Sequence, residues 1–323
     1  MSNINVETAR GHDASKPRHL PGKGWKDIGK RVLDQLKKDH VQITAAGVAF
    51  YFFLAIFPTI AAAVSIYGLV MEPAEVEQQI SQATAALPPQ ASDMLSGILE
   101  KTASKPGSTL GWSLVLSILL SLWSANKGTS ALFEGVNIAY DELDERNFLK
   151  KYGITLLFTL GGILIGFICL SLVAGFPALV DSINLPVVAE NLINWLRWPL
   201  LLVILIFSLS LLYKIAPDRD NAELRWVSWG AVLAAFLWIG ASLLFSLYVS
   251  NFGSYDQTYG SFAAVIILMM WFFITAFVIL LGAEVNSEME HQTRYDTTVG
   301  MDEPMGARGA YHADHVAGKD IES

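Results

Sequence analysis

The sequence predicts an all-α fold: a polytopic integral membrane protein with six transmembrane helices and both termini in the cytoplasm. Three observations carry this. Of 323 residues, 53% are apolar and only 16% are charged, whereas about a quarter are charged in a soluble domain. The apolar residues form long, continuous, charge-poor runs, which favours helices over the alternating strands of a barrel. Lysine and arginine are gathered on one side of those runs. This much apolar sequence excludes general disorder. The single cysteine, Cys169, excludes a disulfide scaffold.

The six runs cover residues 43–69, 110–125, 152–180, 192–213, 226–249 and 259–283. At about 1.5 Å per residue, most reach the roughly 30 Å of a hydrocarbon core. The second is the shortest and borrows Trp112 and Trp123 as interfacial ends. Trp195, Trp198, Tyr213, Trp226 and Trp229 lie near other span ends, as aromatic belts do. Pro58 interrupts the hydrogen-bond ladder of the first span, which predicts a kink and a candidate hinge.

The flanking segments complete the expected organisation. Residues 1–22 are polar and expected to be disordered, with no apolar core of a cleavable signal peptide. Residues 23–42 place Trp25, Ile28, Val32, Leu33 and Leu36 near helical spacing among basic residues. That pattern reads as a basic amphipathic helix on the cytoplasmic membrane surface. Residues 43–287 form the six-helix domain, with an external helical cap over residues 70–109. Residues 288–323 are expected to be a disordered tail.

Orientation follows from the cations. The N-terminal segment holds nine Lys and Arg. Lys127, Arg146, Lys150 and Lys151 lie between spans two and three, Lys214, Arg219 and Arg225 between four and five, and Arg294, Arg308 and Lys319 in the tail. The opposite side has Lys101 and Lys105, with Arg197 at a boundary. This alternation needs an even number of spans.

No phosphate-binding glycine loop and no nucleophile–base pattern occurs, so no catalytic residue, enzyme activity or cofactor is expected. His312, Asp314 and His315 resemble a metal fragment but sit in the tail, where chance spacing explains them, so no metal is expected. Cys169 reads as a buried apolar thiol. The polar candidates follow span two. Asn126 and Lys127 begin the polar sequence, and Lys127, Ser130, Glu134, Asn137 and Asp141 recur every three or four residues, forming one helical stripe. Such a stripe suits a vestibule contacting an anionic headgroup or a coupling ion, or else a solvated helix face. Asp256 lies in a cation-free external turn. Glu284 approaches hydrocarbon and needs a partner, with Lys127 or Lys214 the expected source. Gly162 and Gly166 form a Gly-x-x-x-Gly pair suited to helix packing within or between chains.

The stretches ITAAGVAFYFFLAIFPTIAA, WSANKGTSALFEGVNIAYDE, RNFLKKYGITLL, YKIAPDR and FGSYDQTYGSFAAVIILMMWFFITAFVILLGAEVNSE carry a joint pattern. It resembles the YihY/BrkB family of bacterial inner-membrane proteins, once widely labelled ribonuclease BN. The resemblance spans residues 25–290 and implies a six-helix protein of the plasma membrane. It brings no agreed activity. A nuclease needs a metal or acid–base cluster in an aqueous groove and a basic path for phosphates, and neither pattern is visible. The leading expectation is a transporter-like protein that moves a lipid, an envelope component or a small solute without its own ATPase. The alternative is an envelope scaffold or assembly factor. Membrane lipids are the expected partners. Self-association and an envelope protein partner both stay open, and no nucleic acid is expected.

Overall fold

The computed structural model describes residues 10–70, 107–175, 186–251 and 262–317. The elements are α1 (Gly22–Lys38), α2 (Val41–Val70), α3 (Gly107–Ala139), α4 (Phe148–Leu170), α5 (Val187–Ile215), α6 (Leu224–Asn251), α7 (Phe262–His291) and the single turn α8 (Tyr311–Asp314). Among the described residues there is no strand, only an isolated bridge between Ala222 and Thr298. The fold is therefore all-α, as the continuous apolar runs require. Five segments are long and apolar enough to cross a membrane: Val41–Thr59, Phe148–Val173, Asn191–Ile215, Leu224–Ser250 and Ala263–His291. In hydrocarbon each backbone N–H and C=O must be paired within its own segment, which a helix achieves. The expected external cap falls almost wholly, and Asp256 entirely, outside the described residues.

The chain forms two compact units. The larger comprises Met1–Ala45, Ser130–Gly240 and Thr275–Ser323, and the smaller Ala46–Thr129 and Ala241–Ile274. Within the smaller unit Phe52 packs against Phe272 and across Gly128, where a Cβ would come within 2.9 Å of its ring. Helix α2 runs through Pro58 without a break, and Thr59 Oγ1 donates to the Ala55 carbonyl at 2.6 Å.

The larger unit is organised by a close approach of α6 and α7. A Cβ on Gly230 would lie 2.2 Å from the Gly282 carbonyl oxygen, and one on Gly282 would lie 2.3 Å from the Tyr213 hydroxyl. Backbone contact this tight is what small residues permit in membranes. Asn286 fastens the crossing: its amide donates to Val227 O at 2.9 Å and accepts from Gly230 N at 2.7 Å. Tyr213 donates to Ile279 O at 2.7 Å. Tyr213 and Trp226 are thus core residues, not members of an interfacial belt. Trp112, Trp123, Trp195, Trp198 and Trp229 do stand exposed. The glycines expected to pack, Gly162 and Gly166, have nothing within 4 Å of an added Cβ. They lie on an outward face of α4, so the seam they offer is unused among the described residues.

The described parts of both terminal segments, residues 10–22 and 288–317, are packed and depart from the expected disorder. Ala14 and Leu20 join Ile28 and Val32 of α1, Trp226 of α6, and Val285 and Met289 of α7 in one apolar cluster. Most of the stripe on α1 is therefore spent on protein, with Trp25 and Leu36 packed against the cluster, while Leu33 stays exposed. The tail and the N-terminal segment are tied directly: Gln292 Nε2 donates to Arg10 O (2.9 Å), Thr293 Oγ1 to Ala14 O (2.7 Å) and Arg294 N to His12 O (3.0 Å). Arg308 holds the remainder, donating to Glu303 O (3.0 Å), Ala313 O (2.6 Å) and Arg294 O (3.0 Å). Polar composition reads as solvated sequence, but here polar side chains serve as clamps on backbone carbonyls.

Replacing Gly230 or Gly282 by alanine forces backbone apart and is expected to cost roughly 1–3 kcal/mol. The same change at Gly162 or Gly166 should leave the thermal midpoint of the detergent-solubilised protein within about a degree, because no neighbour is displaced. Thermal unfolding of the four variants side by side checks both halves.

Candidate functional site

The site is built at the ends of α3, α5 and α7, where helices leave carbonyls unpaired. Helix α5 stops at Ile215. Arg146 captures the end, donating to the carbonyls of Ile215 (3.2 Å), Ala216 (3.1 Å) and Pro217 (2.6 Å) and pairing with Asp218 at 2.9 Å. Asn137 works from the other side. Its amide donates to Phe133 O and Ala216 O, and its Oδ1 accepts from Asp218 N at 2.8 Å. Asn137 is buried and fully used as a fastener. Asn147 opens α4 by accepting from Lys150 N at 2.8 Å, the usual role of an N-cap.

The expected stripe therefore divides. Asn126 and Asn137, about three turns apart, are both buried, while Lys127 and Glu134, about two turns apart, are both exposed. Asn126 belongs to the smaller unit. Glu134 pairs with Lys151 at 3.0 Å, and Lys151 also meets Asp144 at 2.8 Å. Three-to-four spacing drifts around a helix, so five such residues need not share one environment.

A buried ion pair lies beside these fasteners. Arg219 binds Glu290 through two hydrogen bonds of 2.8 and 2.9 Å, with both side chains almost fully enclosed. Thr297 donates to the same carboxylate at 2.7 Å. The guanidinium also lies 4.2 Å over the Tyr140 ring. These contacts satisfy a charge that would otherwise be very costly to bury.

The second cluster is short of positive charge. Glu284 is fully buried, and neither carboxyl oxygen has a hydrogen-bond partner of ordinary geometry. The expected cation, Lys127 or Lys214, is not what faces it. Asp39, Glu288 and Asp141 do. Asp39 sits in the tight turn between α1 and α2, beside His40 at a φ of 48°. Burial, with Asp141 adding, pushes the Asp39 carboxyl up from its ordinary value. Arg31 pairs with the Glu288 carboxylate and also donates to its backbone oxygen at 3.1 Å. From the tail, His312 brings Nε2 to 3.1 Å from Asp141 Oδ2 and packs its ring on His291 at 4.7 Å. The His312 imidazole beside it holds the Asp141 carboxyl below its ordinary range. Burial in turn holds His312 below its own ordinary value, outweighing the Asp141 carboxylate. Four carboxyls thus face the Arg31 guanidinium, the Lys38 ammonium beside Asp39 and two imidazoles. Buried like charges cannot all ionise together, so such an arrangement can share a proton among its carboxyls. Among the described residues, no group of three or more His, Cys, Asp or Glu has the arrangement of a metal site.

Of these residues, sequence reasoning reached Asn137, Asp141 and Glu284 and placed Glu288 only near the cytoplasmic boundary, and it missed Asp39, His291, Arg219 and Glu290 as members of a site. One signal was available: Glu284, Glu288 and His291 recur at four and three residues along α7. His312 carried no usable signal, because its partner Asp141 is remote in sequence.

Two outcomes follow. Arg219→Ala leaves Glu290 buried without its partner and should cost about 3–5 kcal/mol, whereas Arg219→Met with Glu290→Leu should recover much of that, read by thermal unfolding. The depressed His312 value means that the unfolded chain binds the extra proton as pH falls. Stability from the docked tail is therefore full above about pH 7 and declines as pH drops through roughly 6.5. Proteolysis of the 292–317 segment across that range should accelerate on acidification, and His312→Gln should flatten the profile.

The chain matches the family model described as Virulence factor BrkB over residues 32–305. It is 30% identical over 251 residues to the ribonuclease-like protein YfkH of Bacillus subtilis, covering 76% of this chain and 89% of that one. It is 25% identical to the UPF0761 membrane protein IL2447 of Idiomarina loihiensis, covering 82% and 94% of the two chains. A UPF0761 membrane protein of Aeromonas salmonicida is 27% identical, covering 86% and 92%. No solved structure matches. The matched region takes in α2 to α7 and nearly every group of both polar clusters, and on that evidence the chain belongs to the Virulence factor BrkB family of membrane proteins.

Proposed function

We propose that the protein is a transporter-like component of the bacterial plasma membrane, moving a lipid, another envelope component or a small solute, with a coupling proton in place of its own ATPase. The observation that carries this reading is the acid cluster around Glu284. A fully enclosed carboxyl that meets no cation and is faced by three further acids, Asp39 foremost, at the end of a spanning helix suits a site that gains and loses a proton during a cycle. The ribonuclease-like name belongs to the Bacillus relative. Here the enclosed carboxyls favour a non-nuclease role, because a phosphodiester backbone has no access to a fully buried Glu284.

The reading places six spans in the membrane with both termini in the cytoplasm. Helix α3 supplies the sixth: it is 33 residues long and turns Trp112, Leu116, Leu119 and Trp123 outward. The direct bonds between residues 10–14 and 292–294 support a reading with both terminal segments on one side, as an even number of spans requires. The positive-inside rule makes that side cytoplasmic. A second reading, an envelope scaffold, draws support from the ordered terminal segments, which present a built protein surface beyond the spans.

Reconstituted vesicles test the transport reading. Labelled phospholipids and small envelope solutes should cross faster than in empty vesicles when a pH gradient is imposed, and Glu284→Gln should abolish the gradient dependence. No acceleration over empty vesicles, for any cargo and either gradient, overturns it. Crosslinking with mass spectrometry that finds a stable partner on residues 70–109 would favour the scaffold. For topology, a single cysteine at Tyr311 in a Cys169→Ser background should react with an impermeant maleimide only after lysis. Labelling in intact cells reverses the orientation.

A further inference from the structure

A groove of about 390 Å³ opens between α1, the α1–α2 turn and α7. Its lining is divided by chemistry. Leu33, Leu36, Ile43 and Phe277 supply apolar walls, and Lys37, His40 and Gln42 supply a polar rim. Leu33 and Ile43 are 62% and 70% exposed, although each is large and apolar. Both lie outside the apolar cluster that buries Ile28 and Val32 on the neighbouring face of α1. The depth is graded. Phe277 precedes the buried Glu284 by seven residues of α7, about 10 Å toward the centre of the span. Lys37 and His40 of the rim lie outside the spanning segments, and Gln42 stands at the first turn of the span that begins at Val41.

The rim also has a sign. Lys37 is exposed, and Lys38 follows it in the last turn of α1. The intervening acid, Asp39, is engaged with Glu284. Helix α2 starts at Val41 beside the end of α1, where the two helix dipoles oppose each other, and the Ile43 N–H is bonded to His40 O, so the sign of the rim comes chiefly from Lys37 and Lys38. The left-handed φ of His40 folds α1 sharply back onto α2 and so fixes the cation and the helix start side by side.

We propose that this groove binds an anionic phospholipid of the adjoining leaflet, with its headgroup phosphate at Lys37, His40 and the start of α2 and its upper acyl chain along Leu33, Ile43 and Phe277. Charge complementarity selects the anionic headgroup. The bordering spans α2 and α7 select a lipid over a soluble anion, because the apolar half of the groove continues along the walls that face hydrocarbon. The site locks α1 to the membrane through one specific lipid and is independent of whether the protein transports anything.

Native mass spectrometry of the full chain in detergent tests this. Phosphatidylglycerol, phosphatidylcholine and inorganic phosphate are each added at matched concentrations. The expected result is a phosphatidylglycerol adduct formed in clear preference to phosphatidylcholine, and no competition by phosphate. Lys37→Glu should weaken that adduct at least about fivefold, roughly 1 kcal/mol for one basic contact at a membrane surface. Ile43→Trp, which fills the apolar half without changing charge, should weaken it as well. Lys23→Glu, on the same helix but away from the groove, should leave it unchanged. Equal binding of the two lipids, competition by phosphate, or an equal effect of Lys23→Glu overturns the proposal. Lys37→Gln replaces Lys37→Glu if the latter lowers the lipid-free thermal midpoint.

Discussion

Arg219 and Glu290 meet where four parts of the chain converge. Arg219 comes from the α5–α6 connection and Glu290 from the end of α7. Tyr140 from the end of α3 covers the guanidinium, and Thr297 from the tail completes the carboxylate. A charge pair this enclosed is tolerated because the two hydrogen bonds, the Thr297 hydroxyl and the Tyr140 ring replace most of the water it loses. Those contacts tie the four segments together. They account for the packing of the α5–α6 connection and of the described tail, both of which look like solvated sequence.

The same logic governs the neighbouring contacts. Membrane helices are satisfied along their length and open at their ends, so the specific chemistry gathers at the ends. Arg146 and Asn137 finish α5, Asn286 fastens α6 to α7, and Gly230 with Gly282 brings the backbones close enough for Asn286 to reach both partners. Glu284 stands apart from these contacts because both of its enclosed carboxyl oxygens are faced by further acids rather than by a cation. An enclosed acid among acids is a natural place to look for function, since real proteins relax their local rules where they work.

The spans were legible because continuous hydrophobicity has one main structural outcome at this length. The class of fold followed from that alone. Details depending on which side of a helix faces which neighbour were less legible. Gly162–Gly166 and Gly230 with Gly282 look equally suited to packing as letters, but only the second pair meets another backbone. Trp226 and Tyr213 sit at span ends by position yet are enclosed, because a second layer of protein covers those ends. Glu284 stood out by its depth. Its partners did not, because Asp39 and Asp141 reach it from distant parts of the chain through turns with left-handed or otherwise irregular backbone.

The docking of α1 sets an order of events during synthesis. Helix α1 leaves the ribosome well before α7, yet the side chains that receive it, Val285, Glu288 and Met289, belong to α7. Its apolar stripe must wait, uncovered, until about 250 further residues have been made and inserted. Closure of α1 onto α7 is therefore a report that the whole bundle is present. A chain arrested or damaged before α7 keeps Ile28 and Val32 bare, and exposed apolar stripes of that kind are what chaperones and proteases recognise.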